Sequence, residues 1–232
     1  MSDAYCLKAR DGRTFKAFVA APERPNGAGI VLLPEVYNVN SWARGVASSY
    51  AARGHTVLVP DLFWRQGPGQ HLDYDQPERA RANGEAVDID AVVGDVGVAA
   101  GALRNQLGAA ARVGVIGFCL GGRLALLAAI REPVDAAISY YGVKLEQHLD
   151  ELAGLAVPSI LHFGETDPWV PPSTLEAVRQ LYDGREDVAV HVYANAGHGF
   201  ARNGYPPFRA DAAALAAQRG SAMLEQTLLG PR

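Results

Sequence analysis

At 232 residues the chain is long enough to bury a self-sufficient core without disulfides or metal. Its formal charge of −4, with 20% charged residues and no long run of either sign, argues against nucleic acid or a strongly charged surface as partner. Neither C-x-x-C nor H-x-x-x-H spacing occurs, so no structural zinc or other cofactor is expected, and no apolar run reaches membrane-spanning length. The N-terminus, MSDAYCLKARDGRTF, has no basic stretch leading into an apolar one. No signal peptide is therefore read, and a reducing cytoplasm is the expected compartment.

In chain order, 15–20 reads as an early strand. Gly29–Leu33 (GIVLL) is apolar throughout, as befits a strand buried on both faces. Residues 41–53 have helical period, with Ser41 as the candidate cap. Residues 56–59 form the next strand, ended by Pro60. Residues 61–75, rich in Gly, Pro and aromatics, read as a loop. Residues 77–107 have helical composition, weakened at Asn83-Gly84. A strand at 113–117 (VGVIG) precedes a helix at 122–130. Strands at 136–140, 159–164 and 188–193 come next, with helices near 173–182 and 211–229. Strands alternating with helices predict an α/β fold, a mostly parallel central sheet flanked by helices on both faces, in a single domain over 1–232.

The chemistry concentrates at Gly117-Phe118-Cys119-Leu120-Gly121-Gly122, between the VGVIG strand and an Ala/Leu-rich helix. This is the G-x-nucleophile-x-G pattern of a nucleophile elbow, with Cys where Ser is usual. Glycines suit a turn too sharp for side chains. The helix start supplies N–H groups and a dipole suited to a thiolate and a developing oxyanion. A phosphate-binding loop fits poorly, because the spacing matches neither G-x-x-x-x-G-K-[ST] nor G-x-G-x-x-G. Cys119 could also be an ordinary small buried hydrophobe.

Two residues further along the chain separate these readings. Asp167 lies in GETDPWVP after the 159–164 strand, and His198 in AGHGF after the 188–193 strand. Nucleophile, acid and histidine thus come in the order of an α/β-hydrolase, each just past a strand. Singly, Asp167 could begin a turn and His198 could be a solvated loop residue. Cys6 reads as structural.

The sequence resembles the dienelactone hydrolase (carboxymethylenebutenolidase) family of the α/β-hydrolases over nearly its whole length. The matching segments are LLPEVYNVN at 32–40, PDLFWRQGPG at 60–69, GFCLGGRLA at 117–125, YYGV at 140–143, GETDPWVP at 164–171 and AGHGFAR at 196–202. The resemblance implies Cys119 as nucleophile, His198 as base and Asp167 as the residue that orients it. It implies Glu35 as a neighbour influencing the thiol's protonation, and the N–H groups of Leu120 and Val36 as the oxyanion hole. Arg202 and Arg81 are implied as ligands of a substrate carboxylate, with Arg79 a rival for Arg81. The stretch after Arg81 is shorter than in the family's prototype, and Asn83-Gly84 replaces bulkier residues, which bears on substrate identity. Without a partner, a buried Glu35 would have to be protonated.

A thiolate is a good leaving group, so a Cys nucleophile favours enol-lactones and similar activated acyl groups over amides. The expected enzyme therefore opens a small, anionic enol-lactone or ester by a Cys-His-Asp acyl-enzyme route, as a monomer or weak homodimer. A carboxylesterase or thioesterase on the same scaffold is the first alternative. A non-catalytic binding or redox-sensing protein with an oxidisable Cys119 is the second.

Overall fold

A computed structural model describes residues 4–231. The described residues place eight strands in one sheet, in the order β1-β2-β4-β3-β5-β6-β7-β8. The strands are β1 (Ala4–Lys8), β2 (Thr14–Ala20), β3 (Gly29–Leu33), β4 (Thr56–Pro60), β5 (Val113–Phe118), β6 (Ala136–Tyr140), β7 (Ser159–Gly164) and β8 (Val188–Tyr193). β1 and β2 pair antiparallel, as do β2 and β4, and the remaining neighbours are parallel. The helices are α1 (Ser41–Ala51), α2 (Pro77–Glu85), α3 (Ile89–Leu107), α4 (Leu120–Arg131), the single-turn α5 (Leu149–Leu152), α6 (Pro172–Leu181) and α7 (Ala210–Leu224).

The two-residue period of a strand explains how one apolar run serves two cores. Along β3, Val31 and Leu33 join Val92, Val96 and Leu103 of α3 and Leu124 of α4 on one face. Ile30 and Leu32 join Trp42 and Ala47 of α1 and Ala212 and Ala216 of α7 on the other. All five residues of β3 are buried, as are all those of β4, β5, β6 and β7. The sheet is thus covered on both faces, as the alternation of elements predicts.

Local differences have local causes. The cap of α1 is Asn40, not Ser41: its side-chain oxygen accepts the Ala43 N–H at 3.0 Å. The helical stretch 77–107 breaks at 86–88, not at Asn83-Gly84, which lie inside α2. Asp88 starts α3 by accepting the Ala91 N–H at 3.0 Å. The last α-helix ends at Leu224 and continues as a wider π-type turn to Leu229. β1 and the short helical turns over 145–152 were not expected. Cys6 lies exposed on β1, unbridged to the buried Cys119. No helix among the described residues is long and apolar enough to cross a membrane.

Candidate active site

Cys119 sits between the end of β5 and the start of α4 with φ 56° and ψ −115°. A non-glycine residue in that region costs on the order of 1–3 kcal/mol and persists only where its surroundings enforce it. Here they do. A Cβ at Gly117 would lie 1.8 Å from the Gly121 carbonyl oxygen, and one at Gly121 would lie 2.1 Å from that of Leu33. The strand, turn and helix therefore close on each other only with glycine at both positions. The Cys119 N–H donates to the Tyr140 carbonyl at 3.0 Å, which ties the turn to β6.

Two further strand ends complete the arrangement. Asp167, buried in the loop after β7, accepts the Trp169 N–H at 2.8 Å with Oδ1 and holds His198 Nδ1 at 2.8 Å with Oδ2. His198, in the loop after β8, lies close enough to Cys119 for the two to interact electrostatically, and its ring meets Tyr141 edge-on with centroids 5.0 Å apart. Burial works to push the His198 pKa down. The negative charge of Cys119 opposes it most strongly, followed by the hydrogen bond to Asp167, and the result is a pKa pushed up to about 10.

These residues border a cavity of about 590 Å³. Glu35, Val36, Arg81, Cys119, Leu120, His198 and Arg202 all line it. The structure thus gathers seven of the eight residues singled out from the sequence around one space, and the eighth, Asp167, stands directly behind His198. Arg81 rather than Arg79 faces the cavity, with its guanidinium 5.5 Å from the Trp169 ring centroid. Leu120 is the first residue of α4, so its N–H has no intrahelical partner. Gly84 brings α2 close to the same region, since a Cβ there would lie 2.6 Å from Val36 Cγ1.

Glu35 resolves its burial by pairing. Its carboxylate accepts Arg202 Nε at 3.0 Å and Nη2 at 3.0 Å, a two-pronged bond, and the Tyr74 hydroxyl at 3.1 Å. Arg202 also lies 4.4 Å from the Tyr74 ring centroid. Despite burial, Glu35 holds the Arg202 guanidinium firmly protonated. Burial and the Glu35 charge push the Tyr74 phenol well above its ordinary range, so Tyr74 remains a donor. The guanidinium expected to meet a substrate carboxylate is thus already engaged by a carboxylate of the chain.

Sequence reasoning did not single out Tyr74, Arg123, Lys144 or Trp169. Tyr74 braces Glu35, and the other three line the cavity. Tyr74 lies in the Gly/Pro-rich loop and Lys144 beyond the YYGV segment, where no spacing rule marks either. Arg123 was in plain view within GFCLGGRLA, one helical turn past the cysteine.

A cysteine in a strained conformation at a strand-to-helix turn, with a carboxylate-braced histidine delivered by two later strands of a mostly parallel sheet, is the arrangement of an α/β-hydrolase. The chain matches the model of the dienelactone hydrolase family over residues 15–228 and belongs to that family. The carboxymethylenebutenolidases of Pseudomonas putida and Pseudomonas knackmussii are each 36% identical to it over 223 residues, covering 94% of this chain and 94% of theirs. A solved structure from Klebsiella pneumoniae subsp. pneumoniae MGH 78578, named as a candidate dienelactone hydrolase, superposes with a TM-score of 0.85 at 25% identity, covering 96% of this chain and 97% of that one. The protein is a hydrolase of ester bonds, and its relatives support lactone opening as its reaction.

Proposed function

We propose that the protein opens a small, anionic enol-lactone through an acyl-enzyme on Cys119, with His198 as acid and base and Asp167 as its brace. The observation that carries this reading is the Asp167–His198 hydrogen bond set beside Cys119 at the wall of the cavity. The Cys119 sulfur adds to the lactone carbonyl, and the carbonyl electron pair moves to oxygen beside the Leu120 and Val36 N–H groups. Such donors contribute on the order of 3 kcal/mol each when aimed at a developing oxyanion. The tetrahedral adduct collapses with cleavage of the ring C–O bond. The departing enolate takes the proton held on His198, and a thioester remains.

The electrostatics then reverse. Acylation removes the negative charge from sulfur, the largest influence holding the His198 proton. Burial and Asp167 remain, so the imidazole becomes neutral and can accept a proton from water. Hydroxide attack on the thioester, followed by expulsion of the thiolate, releases the carboxylate product and restores the charged pair. Arg81 makes no ion pair among the described residues and would hold a substrate carboxylate. Arg202, whose Nε and Nη2 are held by Glu35, would contribute through its remaining edge or by exchanging Glu35 for substrate. Glu35 would govern the charge beside the thiol through that exchange. No step of this course calls on a cofactor. The reading further takes the enzyme to work in the cytoplasm as a monomer or weak homodimer, with neither nucleic acid nor membrane as partner.

The test is the ultraviolet-monitored loss of cis- and trans-dienelactone with the unmodified protein and with Cys119→Ala. Consumption of either isomer by the unmodified protein alone is the expected result. Absence of turnover by both proteins would overturn the substrate assignment, and equal turnover by both would overturn the role of Cys119.

A further inference from the structure

The cations around the cavity differ in how their charge is met. Glu35 meets that of Arg202, and Arg81 lies exposed to solvent. Arg123 has neither arrangement. It is 5% exposed and lines the cavity, and its Nε is buried with no hydrogen-bond partner. Its side chain makes no ion pair among the described residues. The charges it feels are those of Cys119 and Glu146, and burial outweighs both, drawing its pKa down. Glu146 has a donor of its own in the Thr174 hydroxyl at 3.2 Å. A buried guanidinium without a carboxylate is costly, and an apolar side chain of similar length would fill the same space without that cost. Cations kept in this condition beside reactive groups are candidates for holding an anion that arrives from outside.

Its place in the fold indicates where that anion would sit. Arg123 lies one turn beyond Cys119 on α4, which packs against β6. Lys144, with a left-handed φ of 58°, follows β6 and lines the same cavity. Glu35 follows β3, and in the sheet β3 and β6 flank β5, which carries Cys119. The cavity therefore has cationic groups on both sides of the nucleophile.

We propose that Arg123, with Lys144 at the rim, forms a second anion subsite on the β6 side of Cys119, so that the cavity selects small acyl substrates carrying two carboxylates. This rests on the reading of the cavity as the hydrolytic site. One carboxylate lies toward Arg202, which Glu35 holds on the β3 side, and the other against Arg123, with the scissile carbonyl between them over Cys119.

The test uses trans,trans-muconate and sorbate, six-carbon dienes that differ in a second carboxylate, titrated calorimetrically into the Cys119→Ala protein. Muconate is expected to bind about tenfold or more tightly than sorbate, as befits one added charge-assisted hydrogen bond. Adding Arg123→Gln should bring the two affinities together, and Arg123→Lys should restore part of the difference. Arg123→Gln should also melt at a higher temperature than its parent, because a role in holding the fold would lower the melting point instead. Equal binding of the two acids by the Arg123 protein, binding of neither, or an equal loss of both on Arg123→Gln would overturn the proposal. So would an equal fall in kcat/KM for an anionic ester and for neutral 4-nitrophenyl acetate with a shifted pH profile, which would assign Arg123 to the thiolate. Failure of the catalytic reading appears separately, as hydrolysis that survives Cys119→Ala.

Discussion

Two largely buried ion pairs meet at the same cavity and behave as opposites. Asp167 and His198 are joined by one bond of 2.8 Å, and the histidine answers to a third group, Cys119, whose charge acylation would remove under the proposed mechanism. Glu35 and Arg202 are joined by a two-pronged bond and braced by Tyr74. Arginine does not titrate in the working range, so the Arg202 charge is constant and the second pair changes by exchanging partners. Under the proposed mechanism one set of Coulomb interactions would yield a proton switch where a neighbour's charge comes and goes, and a fixed pair where it does not.

The comparison is put under the greatest load by Asp167→Asn. The amide keeps the shape but cannot hold the imidazole in the same tautomer, so kcat on an activated ester should fall by roughly 10⁴. A fall of less than tenfold would mean that His198 is positioned by Tyr141 and Trp169 rather than by the carboxylate.

The switch itself is read by titration. His198 should protonate with a pKa of about 10 by NMR in the unmodified protein, and well below that in Cys119→Ala. The sign for stability is set by the raised value. The histidine contributes fully below its unfolded pKa of 6.5, and its contribution fades as the pH rises from there through about 10. Denaturant midpoints from pH 6 to 10.5 should therefore fall more steeply for the unmodified protein than for Cys119→Ala. Parallel curves would show that the sulfur's charge does not hold the proton.

The fixed pair is tested by Glu35→Ala, which leaves the largely buried Arg202 guanidinium without its carboxylate. Breaking a buried pair from one side costs about 3 kcal/mol or more, visible as a lowered urea midpoint at unchanged slope. Unchanged stability would mean that the guanidinium finds water or another acceptor readily, and that the pair is less fixed than it looks.

The sequence disclosed one of these pairs and only half of the other. Asp167 and His198 are legible because chain order and strand ends are local facts: the bounds of β3, β6, β7 and β8 coincide with their apolar runs. Glu35 and Arg202 could be named, but not their bond, because 167 residues separate them and nothing local encodes the approach. The same holds for Tyr74. β1 went unread because only Leu7 among its five residues is buried, so the strand shows almost no apolar period. The true cap of α1 lay one residue from the expected one because Asn40 and Ser41 are both good caps and only geometry chooses between them. Arg123 was legible as a residue but not as a problem, since its lack of a partner is a property of the folded cavity.

The smallest effect refines the fixed pair. Tyr74→Phe removes one of three donors to Glu35 and leaves the two-pronged bond in place. Tyr74 is half-buried and water can reach part of the site, so the stability loss should be about 1.5 kcal/mol, the low end for a hydrogen bond to a charged group. The kinetic consequence separates two roles for the phenol. If it only braces the pair, kcat/KM for a neutral ester and for an anionic lactone should fall alike and by less than about threefold, the equivalent of a fraction of one hydrogen bond. If it holds Glu35 against exchange with a substrate carboxylate, the loosened carboxylate should be displaced more easily, and KM for the anionic lactone alone should drop. The second pattern would make the fixed pair a gated one, and the contrast with Asp167 and His198 would become a matter of which ligand, proton or carboxylate, each pair is built to trade.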